Sequence, residues 1–338
     1  METTNISINE TVGGIVPSTT SPENNSLFIV KSANEWIEEA KKKPTPKMLC
    51  GELWFEGELC ILFASTNIGK SIFAVQIADS ISRGEAIGNF KLQAPKQKVL
   101  YLDCELTDKQ FQRRYSNEDE TDDYPFDENF KRIEINPNAV IPKDVDFETA
   151  VYHAIERAII ETNAKILIID NLTFLKSGTE TAKDALPLMK TLKIMKTKHE
   201  LSIMALAHTP KRDSTNPLTI NDMQGSAMIA NFVDSCFAIG KSVTDDLRYI
   251  KQLKQRSCEH VYHTDNVVIA EICKPSNFLH FDFVGYGEEN RYLRLPNDKD
   301  KGELETIAKK LYSEGLSLRK IGEQLQVSKS TVERLVKK

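Results

Sequence analysis

The feature that most constrains the fold of this chain is an eight-residue segment that matches the phosphate-binding-loop pattern at every position but the first. The pattern is informative only when a strand precedes it and a helix follows. The apolar run 59–63 predicts a buried parallel strand, and apolar residues recur at helical spacing from Ile72 to Ala78. The segment consists of Ala64, Ser65, Thr66, Asn67, Ile68, Gly69, Lys70 and Ser71.

A loop at this position predicts a nucleotide site with ATP and Mg²⁺ as cofactors. Backbone N–H groups at a helix N-terminus hold phosphate oxygens, Lys70 reaches the β- and γ-phosphates, and the Ser71 hydroxyl can bind Mg²⁺. The first position of the pattern is normally glycine, and Ala64 requires the loop to open there without a left-handed residue. The alternative is a chance match in a surface loop, which the flanking strand and helix disfavour.

Composition places the chain among ordinary soluble proteins. It has 338 residues, 40% hydrophobic and 28% charged, which is enough for one large core and a small second domain. No apolar run approaches the roughly 20 residues that span a bilayer, and no secretory signal is evident, so we expect a cytoplasmic protein without a membrane partner. The net charge of −5 means that nucleic-acid binding would need a local basic surface.

The order of the patterns predicts an α/β fold with a mostly parallel sheet. Apolar strand patterns alternate with helical patterns from Leu59 to Ala207, as in doubly wound nucleotide domains. Short β-like segments from residue 234 to 295 are expected to add antiparallel strands at the sheet edge. Residues 117–129 form an acidic insertion, which we expect to be a solvated loop. The expected domains are a disordered tail (1–26), an ATPase domain (27–295), a linker (296–301) and a helix-turn-helix (302–338).

Polar residues follow three of the predicted strands at the edge where ligands bind in such sheets. Asp170 ends the run 166–170 and is expected to hold Mg²⁺ through water or through the shell of ligands around Ser71. Glu105 follows the strand 99–103 and can orient the attacking water, whereas Asp103 is expected to be structural or a partner of the base. His208 follows the strand 202–207 and can sense the γ-phosphate. The alternative for each is a polar strand end without a chemical role.

The motifs ASTNIGKS, YLDCEL, ILIIDN and MALAHT together resemble the RecA-like ATPases, in particular the branch of plasmid-type hexameric replicative helicases, which are AAA family ATPases of mobile elements. The resemblance covers roughly residues 53–283. It implies that Glu105 is the catalytic base and that His208 matches the family's histidine after the fourth strand. It further implies a homo-oligomer, expected to be a hexamer, with single-stranded DNA in a central pore.

The resemblance also implies DNA-contacting and intersubunit residues. The loops at about 173–182 and 210–225 would touch single-stranded DNA, and they carry Lys176, Lys211 and Arg212. Lys254 and Arg256 match a basic finger that enters the neighbouring subunit's nucleotide site, where a cation delivered in trans stabilises charge on the γ-phosphate. A surface strand with basic residues is the competing interpretation. The nearby CEHVYH sequence (258–263) lacks a second ligand cluster, which disfavours zinc.

The C-terminal tail predicts three helices, 302–313, 318–325 and 329–336, with helix-turn-helix spacing. It resembles the DNA-binding tails of recombinases of mobile elements. A mini-domain that contacts only protein is the alternative. The residues expected to meet duplex DNA are Lys329, Ser330, Thr331 and Arg334.

Two functions fit these patterns. The first is an oligomeric, ATP-hydrolysing DNA translocase or helicase that serves replication or mobilisation of a mobile element. The second is a DNA-binding regulator in which ATP switches the assembly state without helicase activity. A small-molecule kinase would explain neither the basic finger nor the tail.

Overall fold

A computed structural model describes residues 28–175, 182–210, 212–224, 226–243, 246–294, 298–325, 327 and 329–337. The side chains of residues 182–185, 226–228, 298–303, 330 and 337 are not described. The chain divides into two compact units, residues 1–45 and 46–338. The predicted disordered tail (1–26) and the DNA-loop residues Lys176 and Lys211 lie outside the described residues.

The described part of the first unit contains one helix, α1 (Ala33–Lys41). Ser32 caps it: its hydroxyl accepts from the Glu35 N–H, and the Glu35 carboxylate accepts from the Ser32 N–H at 2.7 Å. No residue of α1 is buried.

The second unit is built around a mixed sheet, which has nine strands within the described residues. The strand order is β11-β10-β9-β8-β3-β7-β6-β4-β5. Pairing is parallel from β5 to β8 and antiparallel from β8 to β11. This topology confirms the predicted α/β fold with a mostly parallel sheet and antiparallel edge strands. The strands are β3 (Leu59–Ala64), β4 (Val99–Asp103), β5 (Phe130–Ile133), β6 (Ile166–Asp170), β7 (Ser202–His208), β8 (Ser235–Lys241), β9 (Leu247–Lys254), β10 (Val267–Cys273) and β11 (His280–Gly287).

Helices cover the two faces of this sheet, as expected for parallel strands that are apolar on both faces. The central strand β3 illustrates this burial on both faces, because every one of its residues is buried. Alternate residues of β3 point into two separate hydrophobic clusters, one containing Leu59, Ile61 and Phe63 and the other Cys60 and Leu62. The helices are α2 (Lys70–Arg83), α3 (Asp108–Arg114), α4 (Phe147–Thr162), α5 (Leu172–Leu175), α6 (Ala182–His199) and α7 (Ser226–Phe232).

Several elements were not predicted. A small hairpin, β1 (Met48–Cys50) and β2 (Trp54–Phe55), precedes the sheet, and α3, α5, α7 and β5 were missed because each is short. Helix α4 begins at Phe147, where Asp146 accepts from the Thr149 N–H and caps it.

The acidic insertion is more than a solvated loop. Tyr124 and Phe126 pack with Phe111, Tyr115 and Phe278 in an aromatic cluster, so the insertion is anchored to α3 and to the segment before β11. The expectation of a purely solvated segment was wrong, because acidic neighbours masked the two aromatic residues.

The tail forms α8 (Asp298–Ser313), α9 (Leu318–Leu325) and α10 (Lys329–Lys337) around a small core of Ala308, Ile321 and Val332. Three helices therefore occur where three were predicted. Helix α8 starts inside the predicted linker 296–301, so residues 298–301 are helical. No helix in the described part of the chain is both long and apolar enough to cross a bilayer.

Candidate functional site

The phosphate-loop segment joins β3 to α2 at the carboxyl edge of the parallel strands. Ala64 is the last residue of β3 and pairs with His208 of β7 and Ile239 of β8, so strand geometry suits the first position of the pattern. The left-handed conformations lie further on, at Asn67 (φ 63°) and Gly69 (φ 104°). Glycine is required at position 69, since a Cβ there would lie 2.6 Å from the Ile272 side chain and 2.9 Å from Phe281.

Beside this loop lies a cavity of about 260 Å³. The loop residues 65–71 line one side. Residues from four other parts of the chain also line it, namely Glu105, Arg114, His208 and Ile272. The cavity therefore joins the phosphate loop to two of the residues predicted from strand ends.

Four side chains form a connected polar network at this edge. Lys70 Nζ lies 3.3 Å from His208 Nδ1, and His208 Nε2 lies 2.9 Å from Asn171 Nδ2 and 3.4 Å from Glu105 Oε1. Asn171 Nδ2 also donates to Glu105 Oε1. The Asn171 amide is itself oriented, because its Oδ1 accepts from the Thr173 backbone N–H at 3.1 Å.

His208 faces more donors than it can accept from at once. A neutral imidazole has one N–H and one accepting nitrogen. If Nε2 carries the proton, it donates towards Glu105 while Nδ1 accepts from Lys70; if Nδ1 carries it, Nε2 accepts from Asn171. The two tautomers therefore connect His208 to different partners, so a charge placed in the cavity can select between them.

Charge within the network acts on both Lys70 and Glu105. The hydrogen bond from His208, followed by the Lys70 charge, lowers the pKa of Glu105 against the opposing effect of burial. Glu105 is thus a carboxylate at neutral pH, with its side chain 36% exposed and open to water. Burial lowers the pKa of Lys70, and the carboxylates of Asp170 and Glu105 oppose this shift.

Asp170 lies deeper and is fully buried. Tyr101 Oη donates to its Oδ2 at 2.8 Å, whereas Oδ1 has no hydrogen-bond partner among the described residues. Burial raises the pKa of Asp170 to about 6, against the lowering effect of the Ser71 hydroxyl. A buried carboxylate oxygen without a partner next to a serine hydroxyl fits Mg²⁺, which prefers hard oxygen ligands and retains waters.

The contacts of Asp103 indicate a structural role. Its Oδ1 accepts the backbone N–H groups of Glu105 and Leu106, and its Oδ2 accepts from Arg132 Nε at 2.9 Å. These contacts hold the turn after β4 and so fix the backbone from which Glu105 projects.

Two arginines at this edge were not anticipated. Arg114, at the end of α3, lines the cavity, and its buried Nη1 has no hydrogen-bond partner in the described chain. Arg248, at the start of β9, donates from Nε to the Ile68 carbonyl of the phosphate loop at 3.2 Å. The sequence signal for Arg114 was weak, consisting of the capped pattern TDKQFQRR, in which nothing distinguishes it from Arg113.

Lys254 and Arg256 lie at the opposite end of the sheet. Arg256 Nη1 donates to Asp234 Oδ1 at 3.1 Å, and Asp234 Oδ2 accepts from the N–H of Leu59, the first residue of β3. The phosphate loop follows the last residue of that strand, roughly 17 Å away at the usual rise per strand residue. Lys254 Nζ donates to the Ala230 carbonyl, and burial, with help from Arg256, lowers the pKa of Lys254.

Arg212 is held inside its own loop. Its Nε donates to Asp222 Oδ1 at 3.1 Å, its Nη2 donates to the Asn216 carbonyl, and its side chain is only 14% exposed. Direct contact with DNA would require these bonds to open.

The tail residues lie together on α10. Lys329 and Arg334 are exposed and Thr331 is half-buried, while the Ser330 side chain is not described. Arg334 Nη2 lies 3.5 Å from Thr331 Oγ1.

Comparison with known proteins identifies a family match. The sequence model of the AAA domain family matches residues 30–214, which is more than half of the chain and includes the phosphate loop, Glu105, Asp170 and His208. No curated protein matches the chain. Among solved structures, a KaiC-like protein from the hyperthermophilic archaeon Pyrococcus horikoshii OT3 is similar, with 13% identity and a TM-score of 0.45, over 67% of this chain and 91% of that one. The chain belongs to the AAA domain family.

Proposed function

We propose that this protein is an oligomeric ATPase that hydrolyses ATP to move along or unwind DNA, in the service of replication or mobilisation of a mobile element. Residues 64–71 would hold the phosphates, Lys70 the β- and γ-phosphates, and Ser71 and Asp170 the Mg²⁺. Bound Mg²⁺ would neutralise charge on the phosphates. Glu105 would orient the attacking water, and His208 would sense the γ-phosphate.

The observation that carries the oligomeric part is the position of Arg256. It lies about one strand length from the phosphate loop of its own chain, which is further than an arginine side chain reaches. Its side chain is half-exposed, and its described ion pair, with Asp234, is at the rim of the sheet. Since Arg256 cannot reach the nucleotide of its own chain, the proposed finger role of Arg256 and the adjacent Lys254 requires a neighbouring subunit, and a hexameric ring is the arrangement that we favour.

The DNA part is supported by the loop after His208 and by the tail. A loop that begins at a γ-phosphate sensor changes its position when the nucleotide changes, and single-stranded DNA in a pore would contact such loops. The proposed contacts are Lys176 in the loop 173–182, and Lys211 and Arg212 in the loop 210–225, with Arg212 released from Asp222 on binding. Lys329, Ser330, Thr331 and Arg334 of α10 would contact duplex DNA, where phosphate contacts supply most of the affinity.

Subunit complementation tests the proposal directly. Glu105→Gln inactivates its own site but keeps the finger, whereas Arg256→Ala keeps its own site but lacks the finger. Each variant alone is expected to have little ATP turnover, and a mixture is expected to recover part of it, because some interfaces then pair an intact site with an intact finger. A mixture as inactive as the separate variants contradicts the shared site.

The second candidate is an ATP-switched DNA-binding regulator, which the same tail and loop would also suit. Unwinding of a forked duplex and stimulation of ATP turnover by single-stranded DNA separate the two. The regulator is favoured if ATP changes the assembly state while turnover is insensitive to DNA and no strand separation occurs.

A further inference from the structure

The loop between His208 and α7 is closed at its base on the nucleotide edge. The Thr209 N–H donates to the Ala64 carbonyl at 3.2 Å, and the Gln224 N–H donates to the His208 carbonyl at 3.1 Å. Both ends of the loop are therefore fixed to Ala64 and His208, at the edge of the sheet that carries the phosphate loop. Any shift of His208 moves these two anchors together.

A buried ion pair holds the middle of the same loop. The Leu218 N–H donates to Glu289 Oε1 at 2.6 Å, and the Leu218 carbonyl accepts from Lys251 Nζ at 2.8 Å. Lys251 and Glu289 pair with each other at 2.5 Å, and their side chains are 8% and 0% exposed. One loop residue thus has both of its backbone groups bonded to the two members of one ion pair.

Lys251 lies in the centre of β9, and β9 links the two functional ends of the sheet. At its start, Arg248 contacts the phosphate loop through the Ile68 carbonyl. At its end are Lys254 and then Arg256. Tyr249 of the same strand lies against Glu289 and Arg212, which adds a second contact between β9 and the loop.

We propose that Lys251 and Glu289 are positioning residues that couple the loop 209–224 to β9, so that the state of the finger in the neighbouring site and the position of the DNA loop change together. The inference rests on the proposed function, in which the finger and the DNA loop have these roles. It assigns the coupling to two residues that contact neither the nucleotide cavity nor the finger's partner Asp234 among the described contacts.

The physical reason for this role lies in the cost of separating the pair. A buried ion pair is a poor source of stability compared with apolar packing, but removing one partner leaves an uncompensated charge in the interior. If Leu218 moved away from the ion pair, its backbone N–H and C=O groups would both lose their hydrogen-bond partners. The loop centre therefore follows β9 as a unit and does not slide along it.

The test replaces both charges at once. Lys251→Met with Glu289→Gln keeps the volumes and an acceptor for the Leu218 N–H, and it avoids a lone buried charge. A matched control removes the ion pair of α2, Arg83→Met with Asp79→Asn, which is also partly buried and contacts neither the loop nor β9 in the described contacts. Lys251→Gln with Glu289→Gln, which is also neutral and keeps an amide donor and an amide acceptor at the two positions, is the second variant if the first does not fold.

ATP turnover is measured with and without oligo(dT). The coupling variant is expected to keep its DNA-free kcat and KM for ATP within about twofold, while stimulation by DNA falls about tenfold, as expected when two sites become uncoupled. The control is expected to keep full stimulation. Equal stimulation in the coupling variant and the wild type overturns the inference, and so does an equal decrease in the control.

A second readout separates this inference from the proposed function. If DNA does not stimulate the wild type, the DNA role fails, and the coupling is judged by hydrogen exchange. Addition of a non-hydrolysable ATP analogue should then change exchange in residues 212–224 and 249–256 together in the wild type. In the coupling variant the two segments should respond separately, and a joint response there overturns the inference.

Discussion

Lys70 Nζ and His208 Nδ1 lie 3.3 Å apart, so the lysine of the phosphate loop directly contacts the residue that ends β7. A γ-phosphate that binds Lys70 must therefore alter the partners of His208. In the proposed function, this contact would let His208 report the nucleotide state without binding the phosphate first.

We expect His208→Ala to lower kcat for ATP by about 10- to 100-fold, the range for losing one hydrogen bond to a charged group. The KM for ATP should change little, because the loop and Lys70 remain. Steady-state turnover would measure kcat and KM, and binding of a fluorescent ATP analogue would measure the affinity. The control is His199→Ala. His199, at the end of α6, pairs with Glu156 of α4 at 2.7 Å and contacts no residue of the phosphate loop in the described chain. A loss of ATP binding equal to that of Lys70→Ala would contradict the sensor role.

The acid limb of the pH profile should report Asp170. Its pKa is about 6, raised by burial, so the carboxyl group becomes protonated as pH falls through 6. The pKa of Glu105 is lowered, so Glu105 stays ionised at this pH. Protons and Mg²⁺ then compete for Asp170, and metal affinity should fall by about tenfold per pH unit well below 6.

Turnover measured from pH 5 to 8 at several Mg²⁺ concentrations checks this assignment. Raising Mg²⁺ should move the acid limb to lower pH, because metal binding displaces the proton. A limb whose midpoint does not depend on Mg²⁺ would assign the titration to another group.

Arg114 should contribute to nucleotide affinity. Its cavity-lining guanidinium has an unpartnered buried Nη1 in the described chain, and an anionic ligand would satisfy it. Arg114→Ala is expected to raise the Kd for ATP by about tenfold, which corresponds to one hydrogen bond to a charged group. Arg113→Ala is the matched control, because Arg113 is 71% exposed and pairs with Glu120 at 3.3 Å. Equal effects of the two substitutions, measured by calorimetry, would exclude a specific role for Arg114.

Arg114 could not be assigned to the site from the sequence. The strands β4, β6 and β7 are uninterrupted apolar runs, so their ends, and hence Glu105, Asp170 and His208, could be placed at one edge from pattern alone. Arg114 reaches that edge only because α3 packs on an aromatic cluster that includes Phe278. Contacts between residues so distant in sequence leave no periodic signal.

The ion pair of Lys251 and Glu289 was unpredictable for a related reason. From the sequence alone, both residues are expected at the surface, because lysine and glutamate are rarely buried unless they are paired. Their burial depends on the antiparallel pairing of β9 with β8 and on the short 3₁₀ helix from Glu289 to Arg291, which bring them together. The same limit applies to Arg212, whose ion pair with Asp222 was not visible in the sequence.

The tail should contact DNA through α10. Lys329→Ala with Arg334→Ala is expected to weaken duplex binding and to reduce the slope of log Kd against log salt by about 2, close to one unit for each phosphate that the variant no longer neutralises. DNA-free ATP turnover should not change. Fluorescence anisotropy over a salt series measures the slope, with Lys309→Ala on α8 as the control, since Lys309 pairs with Glu305 within its own helix. An unchanged slope would favour a protein-contacting mini-domain.

Ala64 should be the better residue at the first position of the loop pattern in this protein. It is fully buried, it pairs with both neighbouring strands, and it has no left-handed backbone conformation. Ala64→Gly removes a buried methyl group and adds backbone freedom to the unfolded chain, so the free energy of unfolding should fall by about 1 kcal/mol. ATP affinity should be unchanged, because the left-handed residues are Asn67 and Gly69. Urea unfolding and ATP binding measure the two effects, and a gain in affinity on Ala64→Gly would show that the alanine restrains the loop.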